Sequence, residues 1–240
     1  MNKILIPLIA VAVAAGSAKA QVISFDANAT FLDNEKPDGS ETNPFGAFSY
    51  GQIDEVTNTF STIQNHTDFF AGLPNIQGYF IPSAFLVPCV LINTSGAPNT
   101  TSFGVTLEAD EILLHPDDLG NAGTLRFTVP VGAGGLYSIV GNFEKKNLQG
   151  NGTINEVLVN GSSIFSVALT SADTEIEEPG AFNLSRTLAP GDTVDFAVFA
   201  PGADFGSDST GFTAVLTVPE PGSAALLALG GIGLLGRRRR

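Results

Sequence analysis

VLVNGSSIF, residues 157–165, places an Asn-Gly pair between two short runs rich in β-branched and aromatic residues. Asn160-Gly161 is the strongest short-range signal for a β-hairpin, because a type I′ turn needs positive φ at both central positions. The pair therefore predicts that Ile154–Val159 and Ser163–Leu169 are adjacent antiparallel strands.

Other segments show the two-residue period of half-buried strands. In Leu136–Phe143, the side chains of Tyr137, Ile139 and Phe143 fall on one face and Ser138 falls on the other. The remaining strand-like segments are Thr124–Pro130, Gly135–Phe143, Ala181–Leu188, Thr193–Phe199 and Thr213–Val218. One apolar face per strand predicts an all-β fold in which antiparallel sheets pack face to face as a β-sandwich.

The first part of the body is less regular, and short strands are expected near Phe45–Gly51, Tyr79–Ile81 and Leu86–Asn93. Because no long linker interrupts the chain, residues 21–217 are interpreted as one β-sandwich domain, with a small separate unit at residues 26–99 as the alternative. Ala189-Pro190-Gly191-Asp192 marks a turn between two later strands.

The charge balance excludes some partners. Between Gln21 and Val218 there are five basic and 23 acidic residues. A protein that binds nucleic acid needs the opposite sign, so nucleic acid is not expected as a partner.

The residues that usually carry catalysis form no recognisable motif. Cys89 is the single cysteine and lies in an apolar run, which favours a small buried hydrophobe over a nucleophile. His66 and His115 stand alone, and His115 beside Pro116 is typical of a structural turn. No catalytic residue is therefore assigned, and the chain is not expected to be an enzyme.

The first 20 residues have the layout of a secretory signal peptide. A short basic start precedes the apolar run Ile4–Ala15, and small residues follow at Ala18 and Ala20. This arrangement predicts export and cleavage after Ala20.

Residues 218–240 combine three features. Pro219, Glu220 and Pro221 precede the short apolar run Gly222–Gly236, and four arginines follow it. These are Arg237, Arg238, Arg239 and Arg240. Positive charge prefers the cytoplasmic face, so the run is expected to stop in the inner membrane as a short transmembrane helix with the body outside.

This ending resembles the PEP-CTERM sorting signal of Gram-negative bacteria. The resemblance implies that an exosortase recognises Pro219-Glu220-Pro221 and removes the tail. The mature protein would then reach the cell surface or an exopolysaccharide matrix. Gly222 departs mildly from the family, which more often has Ser after the second proline.

The body resembles a jelly-roll-like domain found in many PEP-CTERM proteins. The resemblance is carried by VLVNGSSIF (157–165), LAPGDTVDFAV (188–198), DSTGFTAVLTV (208–218) and the upstream stretches 113–143 and 25–51. Such domains are similar in shape to carbohydrate-binding modules. His115-Pro116 is followed by Asp117-Asp118 where the pattern commonly has glycine, and Phe127 stands where an aromatic residue, often Trp, is usual.

No metal-ligating residue is assigned, although a structural Ca²⁺ is an alternative. Asp26 could approach Asp204 or Asp208 if the first and last strands are neighbours, and carboxylate oxygens are the ligands that Ca²⁺ prefers. The acidic stretches Asp33–Gly39 and Asp173–Glu178 are two other candidates, and solvated loops are the simpler interpretation of all three.

Three functions follow in order of preference. The first is an exported, non-catalytic structural or adhesive component of an extracellular polysaccharide matrix. The second is a carbohydrate-binding module, which would need exposed aromatic side chains, with Tyr50, Tyr79 and Tyr137 as candidates. The third is a secreted hydrolase, which would need two acidic residues facing each other across a cleft.

Overall fold

In a computed structural model, the described residues are 22–36, 39–101, 104–147, 149–170, 179–202 and 204–220. They form antiparallel strands and one short α-helix. In chain order these are β1 (Val22–Asp26), α1 (Ala27–Asn34), β2 (Phe48–Asp54), β3 (Thr59–Thr62), β4 (His66–Thr67), a 3-10 turn (Phe70–Gly72), β5 (Ile76–Phe80), β6 (Cys89–Asn93), β7 (Asn99–Thr100), β8 (Thr106–Leu107), β9 (Ile112–His115), β10 (Asn121–Thr128), β11 (Gly135–Lys145), β12 (Thr153–Val159), β13 (Ser162–Leu169), β14 (Ala181–Leu188), β15 (Thr193–Phe199) and β16 (Thr210–Pro219).

Two large antiparallel sheets enclose the core. The first has the order β14-β11-β16-β9-β6-β5-β4, and β1 also pairs with β16. The second has the order β13-β12-β15-β10-β2-β3, while β7 and β8 form a separate small hairpin. The all-β antiparallel sandwich predicted from the sequence is therefore confirmed. Early strands pair with late ones, β2 with β10 and β6 with β9, so both parts of the body share the same two sheets.

The Asn-Gly hairpin forms as predicted. Asn160 has a φ of 49° and Gly161 a φ of 77°, which are the positive values that a type I′ turn needs. β12 and β13 pair on either side of this turn, with a register shift at Val157/Leu158. The Asn160 side chain also donates to Asp192 Oδ1 at 3.0 Å, which joins this turn to the one before β15.

The turn at Ala189–Asp192 connects the two sheets. The Asp192 N–H donates to the Ala189 carbonyl at 3.0 Å, and the Ala189 N–H donates to Asp192 Oδ2 at 2.8 Å. Because β14 belongs to the first sheet and β15 to the second, the turn carries the chain across the sandwich instead of closing a hairpin.

Aromatic rings from both sheets meet in the core. The ring of Phe196 in β15 lies 4.9 Å from that of Phe212 in β16 and 5.9 Å from that of Phe182 in β14. At the other side of the core, Tyr50 of β2 stacks on Tyr79 of β5 with ring centroids 5.0 Å apart. Burial of these rings supplies much of the driving force that holds the sheets together.

Several short elements are not evident in the sequence pattern. They are β1, α1, β3, β4 and β7 to β9. Helix α1 has eight residues, too few to show a helical period, and Asp26 caps it by accepting a hydrogen bond from the Ala29 N–H at 3.0 Å. Strands of two residues, such as β4, exist because a longer neighbour pairs with them.

One buried carboxylate in the described chain is left without hydrogen bonds. Asp208 is 0% exposed, and among the described residues neither of its carboxylate oxygens has a hydrogen-bond partner. Burial raises the pKa of Asp208 to about 7, and the positive charge of nearby Lys145 offsets this rise in part. The folded protein therefore holds a proton at pH values where an unfolded chain has released it.

We expect Phe196→Ala to lower the free energy of unfolding by about 3–5 kcal/mol, because Phe196 is 0% exposed and the substitution leaves a cavity between the sheets. Chemical denaturation of the variant and the parent measures the difference. Phe85, which is 66% exposed, provides a matched control, and Phe85→Ala should cost less than about 1 kcal/mol. Equal costs for the two variants would contradict the packing described here.

We expect the stability of the protein to fall as the pH rises from about 4 to about 7, because the raised pKa of Asp208 means that the folded state binds more protons than the unfolded state in this range. Asp208→Asn should remove this contribution and stabilise the protein at pH 8 by about 2 kcal/mol or more. Denaturation midpoints of both proteins at pH 5 and pH 8 test this. A variant that is equally destabilised at both pH values would show that the carboxylate is not responsible.

Candidate functional site

The described part of the sorting signal begins at the end of β16. Pro219 is the last residue of this strand and pairs with Val22, the first residue of β1. Pro219 is exposed and Glu220 is half-buried, so the start of the signal is accessible beside the sheet. Both ends of the described body leave the sandwich at this one point.

The other residues expected in targeting lie outside the described residues. These are Ala18 and Ala20 of the signal peptide, Pro221 of the sorting motif, and Arg237, Arg238, Arg239 and Arg240 of the membrane stop. Within the described ranges, the structure contains no helix with the length and apolarity needed to cross a membrane.

A second candidate site is a group of three carboxylates around one imidazole. Glu35 follows the last residue of α1, Glu41 lies in the loop before β2, His66 begins β4, and Asp68 follows β4. Each of the four side chains offers one ligand-type atom, and these atoms all lie within 4.8 Å of one another. We call this group the Glu35–His66 cluster.

The two ring nitrogens of His66 face different carboxylates. His66 Nε2 lies 2.9 Å from Glu35 Oε2, a hydrogen bond in which the ring N–H donates. His66 Nδ1 lies 3.9 Å from Glu41 Oε2 and 3.7 Å from Asp68 Oδ1. The other oxygen of Glu41 accepts a hydrogen bond from the Lys36 backbone N–H at 3.0 Å, which fixes the carboxylate in this orientation.

Three of the four side chains in the cluster are largely removed from solvent. The side chains of Glu35 and Glu41 are 3% and 5% exposed, and that of His66 is 16% exposed. Burial raises the pKa of Glu35 above its ordinary value, although the hydrogen bond from His66 opposes this rise. Burial alone would lower the pKa of His66, but the hydrogen bond with Glu35 and the neighbouring carboxylates raise it overall.

The sequence pattern indicated that His66 stands alone, but the structure places three carboxylates around it. Its main partner, Glu35, belongs to the acidic stretch Asp33–Gly39, which the sequence suggested only as an alternative cation site. Glu35 and His66 are 31 residues apart and meet because α1 packs on the first sheet, against β16, β1 and β6. No residue spacing within either segment predicts this contact.

The alternative calcium site formed by Asp26 with Asp204 or Asp208 is not assembled. The strands are neighbours as supposed, but Asp26 pairs with Val215. Asp204 and Asp208 precede the other end of β16, so at least about five residues of strand, roughly 17 Å, separate them from Asp26. The acidic stretch Asp173–Glu178 lies outside the described residues.

Cys89 and His115 occupy structural positions. Cys89 is buried and unpaired, as predicted, and burial strongly raises the pKa of its thiol. His115 ends β9, where its Nδ1 donates to the Pro116 carbonyl at 2.7 Å and where burial lowers its pKa. This is the arrangement expected of a structural turn histidine.

A pocket of about 350 Å³ lies on the outer face of the first sheet. Its floor is apolar and includes Cys89 and Leu113, and the rings of Phe85 and Phe205 form one wall with their centroids 5.3 Å apart. Polar side chains, among them Asn147 and Gln149, line its rim. We call this the Phe85 pocket.

The three tyrosines named as a platform for sugar rings are all in the core. Tyr50 and Tyr137 are 0% exposed and Tyr79 is 2% exposed, so none of them can stack on a ligand at the surface. The expectation for Tyr50 and Tyr79 is wrong because both side chains point inward from their strands and stack on each other. Phe85, which shows no recognisable signal in the sequence, is the exposed aromatic residue beside a pocket.

Comparisons with solved structures give distant likenesses. CBM51 from Clostridium perfringens GH95, in complex with methyl-galactose, shares 13% identity over 51% of this chain and 80% of its own, with a TM-score of 0.33. A family 35 carbohydrate binding module from Clostridium thermocellum shares 11% identity over 59% of this chain and 87% of its own, with a TM-score of 0.28. GITRL from bushbaby shares 11% identity over 72% of this chain and 95% of its own, with a TM-score of 0.26.

A comparison with curated proteins finds no match. The family model described as the PEP-CTERM protein-sorting motif matches residues 217–240. The match includes all of residues 218–240, for which the sequence predicts the sorting signal, and begins one residue earlier. The chain therefore carries a PEP-CTERM sorting motif, which implies export, transient membrane anchoring and processing by an exosortase.

Proposed function

We propose that this protein is a non-catalytic structural or adhesive component of an extracellular polysaccharide matrix of a Gram-negative bacterium. The observation that carries the proposal is the sorting motif at residues 217–240, which begins where the last strand of the sandwich ends. In this scheme Arg237 to Arg240 hold the tail in the inner membrane until an exosortase removes it. The acidic body is then released to the cell surface.

The position of the sorting motif supports this order of events. Pro219 is exposed at the very end of β16, so the Pro219-Glu220-Pro221 segment can enter a processing enzyme while the rest of β16 stays paired. The two sheets bury their aromatic rings against each other, so the sandwich is complete without the tail. Removal of the tail would therefore leave a stable, soluble body.

A carbohydrate-binding role is the second candidate, and the Phe85 pocket favours it. The pocket combines an apolar floor, an aromatic wall and a polar rim, which are the features of a site that binds a small ligand. The pocket lining includes Ser207 and Ser209, just before β16 begins at Thr210. Pro219 ends β16, about 30 Å from Thr210 along the strand. The pocket would therefore face away from the membrane while the tail is anchored.

We expect Glu220→Ala to leave the tail attached, because the substitution removes the central carboxylate of the motif. Mass spectrometry of the protein from its own host should then find Arg237 to Arg240 still present, in the membrane fraction. Glu55→Ala changes an exposed acidic residue in a distant turn and should be processed normally. Normal processing of Glu220→Ala would contradict the exosortase proposal.

The matrix role predicts that the processed wild-type protein sediments with extracellular polysaccharide. Enzymatic digestion of the polysaccharide should release it into the soluble fraction, while the membrane-retained Glu220→Ala variant should not respond. A wild-type protein that stays cytosolic with its arginines intact, or that remains sedimented after digestion, would contradict the proposal.

If the Phe85 pocket binds a glycan, a glycan array probed with the exported protein should give discrete signals. Phe85→Ala should weaken them about three- to tenfold, since the ring would no longer stack on the sugar. Phe69→Ala provides a control, because Phe69 is 63% exposed and does not line the pocket. Signals that are unchanged in Phe85→Ala would exclude this pocket as the glycan site.

A further inference from the structure

The Glu35–His66 cluster holds two buried carboxylates and one half-exposed carboxylate around a single imidazole. Three carboxylates surround one imidazole, and among the described residues the ion pairs of these carboxylates are all with His66. Even a fully protonated imidazole would leave an excess of negative charge. Buried charge of one sign is costly unless a counter-charge accompanies it.

A buried oxygen of Glu35 without a hydrogen bond is a second reason to expect a cation in the cluster. Glu35 Oε2 accepts the hydrogen bond from His66, but Glu35 Oε1 is buried and has no hydrogen-bond partner among the described residues. A buried carboxylate oxygen without a partner loses its hydration without compensation. A water molecule bound to an ion in the cluster would satisfy this oxygen.

The arrangement around His66 suits a metal ligand. A neutral imidazole that donates its Nε2–H to Glu35 presents the lone pair of Nδ1 to Glu41 and Asp68. A carboxylate that holds the far nitrogen of a ligating histidine is a common outer partner in metal sites. Glu35 Oε2 has this relationship to His66, at 2.9 Å.

The distances also fit. Zn²⁺ binds nitrogen and oxygen at about 2.0–2.2 Å, so neighbouring ligand atoms in a tetrahedral site are about 3.3 Å apart. The separations from His66 Nδ1 to Glu41 Oε2 and to Asp68 Oδ1 are 3.9 and 3.7 Å. Inward movement of a few tenths of an ångström would bring both oxygens to this spacing from Nδ1, and a water molecule would be the fourth ligand. Asp68, with its side chain 51% exposed, can move toward an ion.

The geometry points to a divalent transition-metal site in which His66 Nδ1, Glu41 and Asp68 are ligands and Glu35 orients the imidazole. The imidazole ligand favours an ion such as Zn²⁺ over Ca²⁺ and Mg²⁺, which prefer oxygen. The ion would link the end of α1 and the following loop to β4, the edge strand of the first sheet. Its role would be to hold this edge in place.

Metal titration of the full-length protein tests this site. The protein is purified without a histidine tag, stripped with a chelator and titrated with Zn²⁺ by calorimetry. We expect one Zn²⁺ per chain with a Kd below about 10 µM, and saturation should raise the Tm by about 5 °C or more. Absence of binding, or binding without a change in Tm, would overturn the proposal.

Two variants identify the ligands. His66→Gln keeps an amide that can reach Glu35 but removes the ring nitrogen, and Asp68→Asn removes the charge of a half-exposed side chain with almost no change in its size. Each should weaken Zn²⁺ binding at least tenfold. Asp118→Asn, at an exposed acidic position elsewhere, should bind like the parent. Parent-like binding by Asp68→Asn and His66→Gln would place the ion at another site, and tighter binding of Ca²⁺ than of Zn²⁺ would overturn the choice of ion.

Discussion

Strand β16 is hydrogen-bonded along both of its edges, and the first sheet depends on this pairing. One edge pairs with β11 over eight residues, and the other edge is shared between β9 and β1. Its inward-facing residues Phe212, Ala214, Leu216 and Val218 are buried against the second sheet. Because the sorting motif continues directly from this strand, the signal is attached to a strand that is paired on both sides.

The sequence predicts the regular half of the molecule well, for a physical reason. β10 to β16 are long enough to show alternation, and most of the connections between them carry Asn-Gly or Pro-Gly, so periodicity and turn chemistry agree. β4, β7 and β8 have two residues each and show no period. α1 is similarly short, and its existence depends on the cap from Asp26 and on the burial of Phe31. These elements are set by tertiary contacts that no local pattern records.

The candidate sites divide in the same way. The sorting motif is contiguous, so it can be found in the sequence, and the family comparison matches the same residues. The Glu35–His66 cluster combines three separate segments, and the Phe85 pocket draws on still more distant ones, so neither has a signature along the chain. The sequence also does not show that Tyr50 and Tyr79 face the core, because an aromatic residue in a strand faces the core or the solvent according to register.

The central place of β16 also bears on when the body can fold. Residues 210–219 are the last part of the sandwich to be synthesised, yet they occupy a slot between β11 on one side and β9 and β1 on the other. Until they emerge, the first sheet is split into two pieces with unpaired edges, and β1 has no partner strand. Such late, long-range pairing slows folding. A chain of this topology cannot complete its first sheet until its last strand is available. An incompletely folded chain is the form that can thread through a narrow translocation channel.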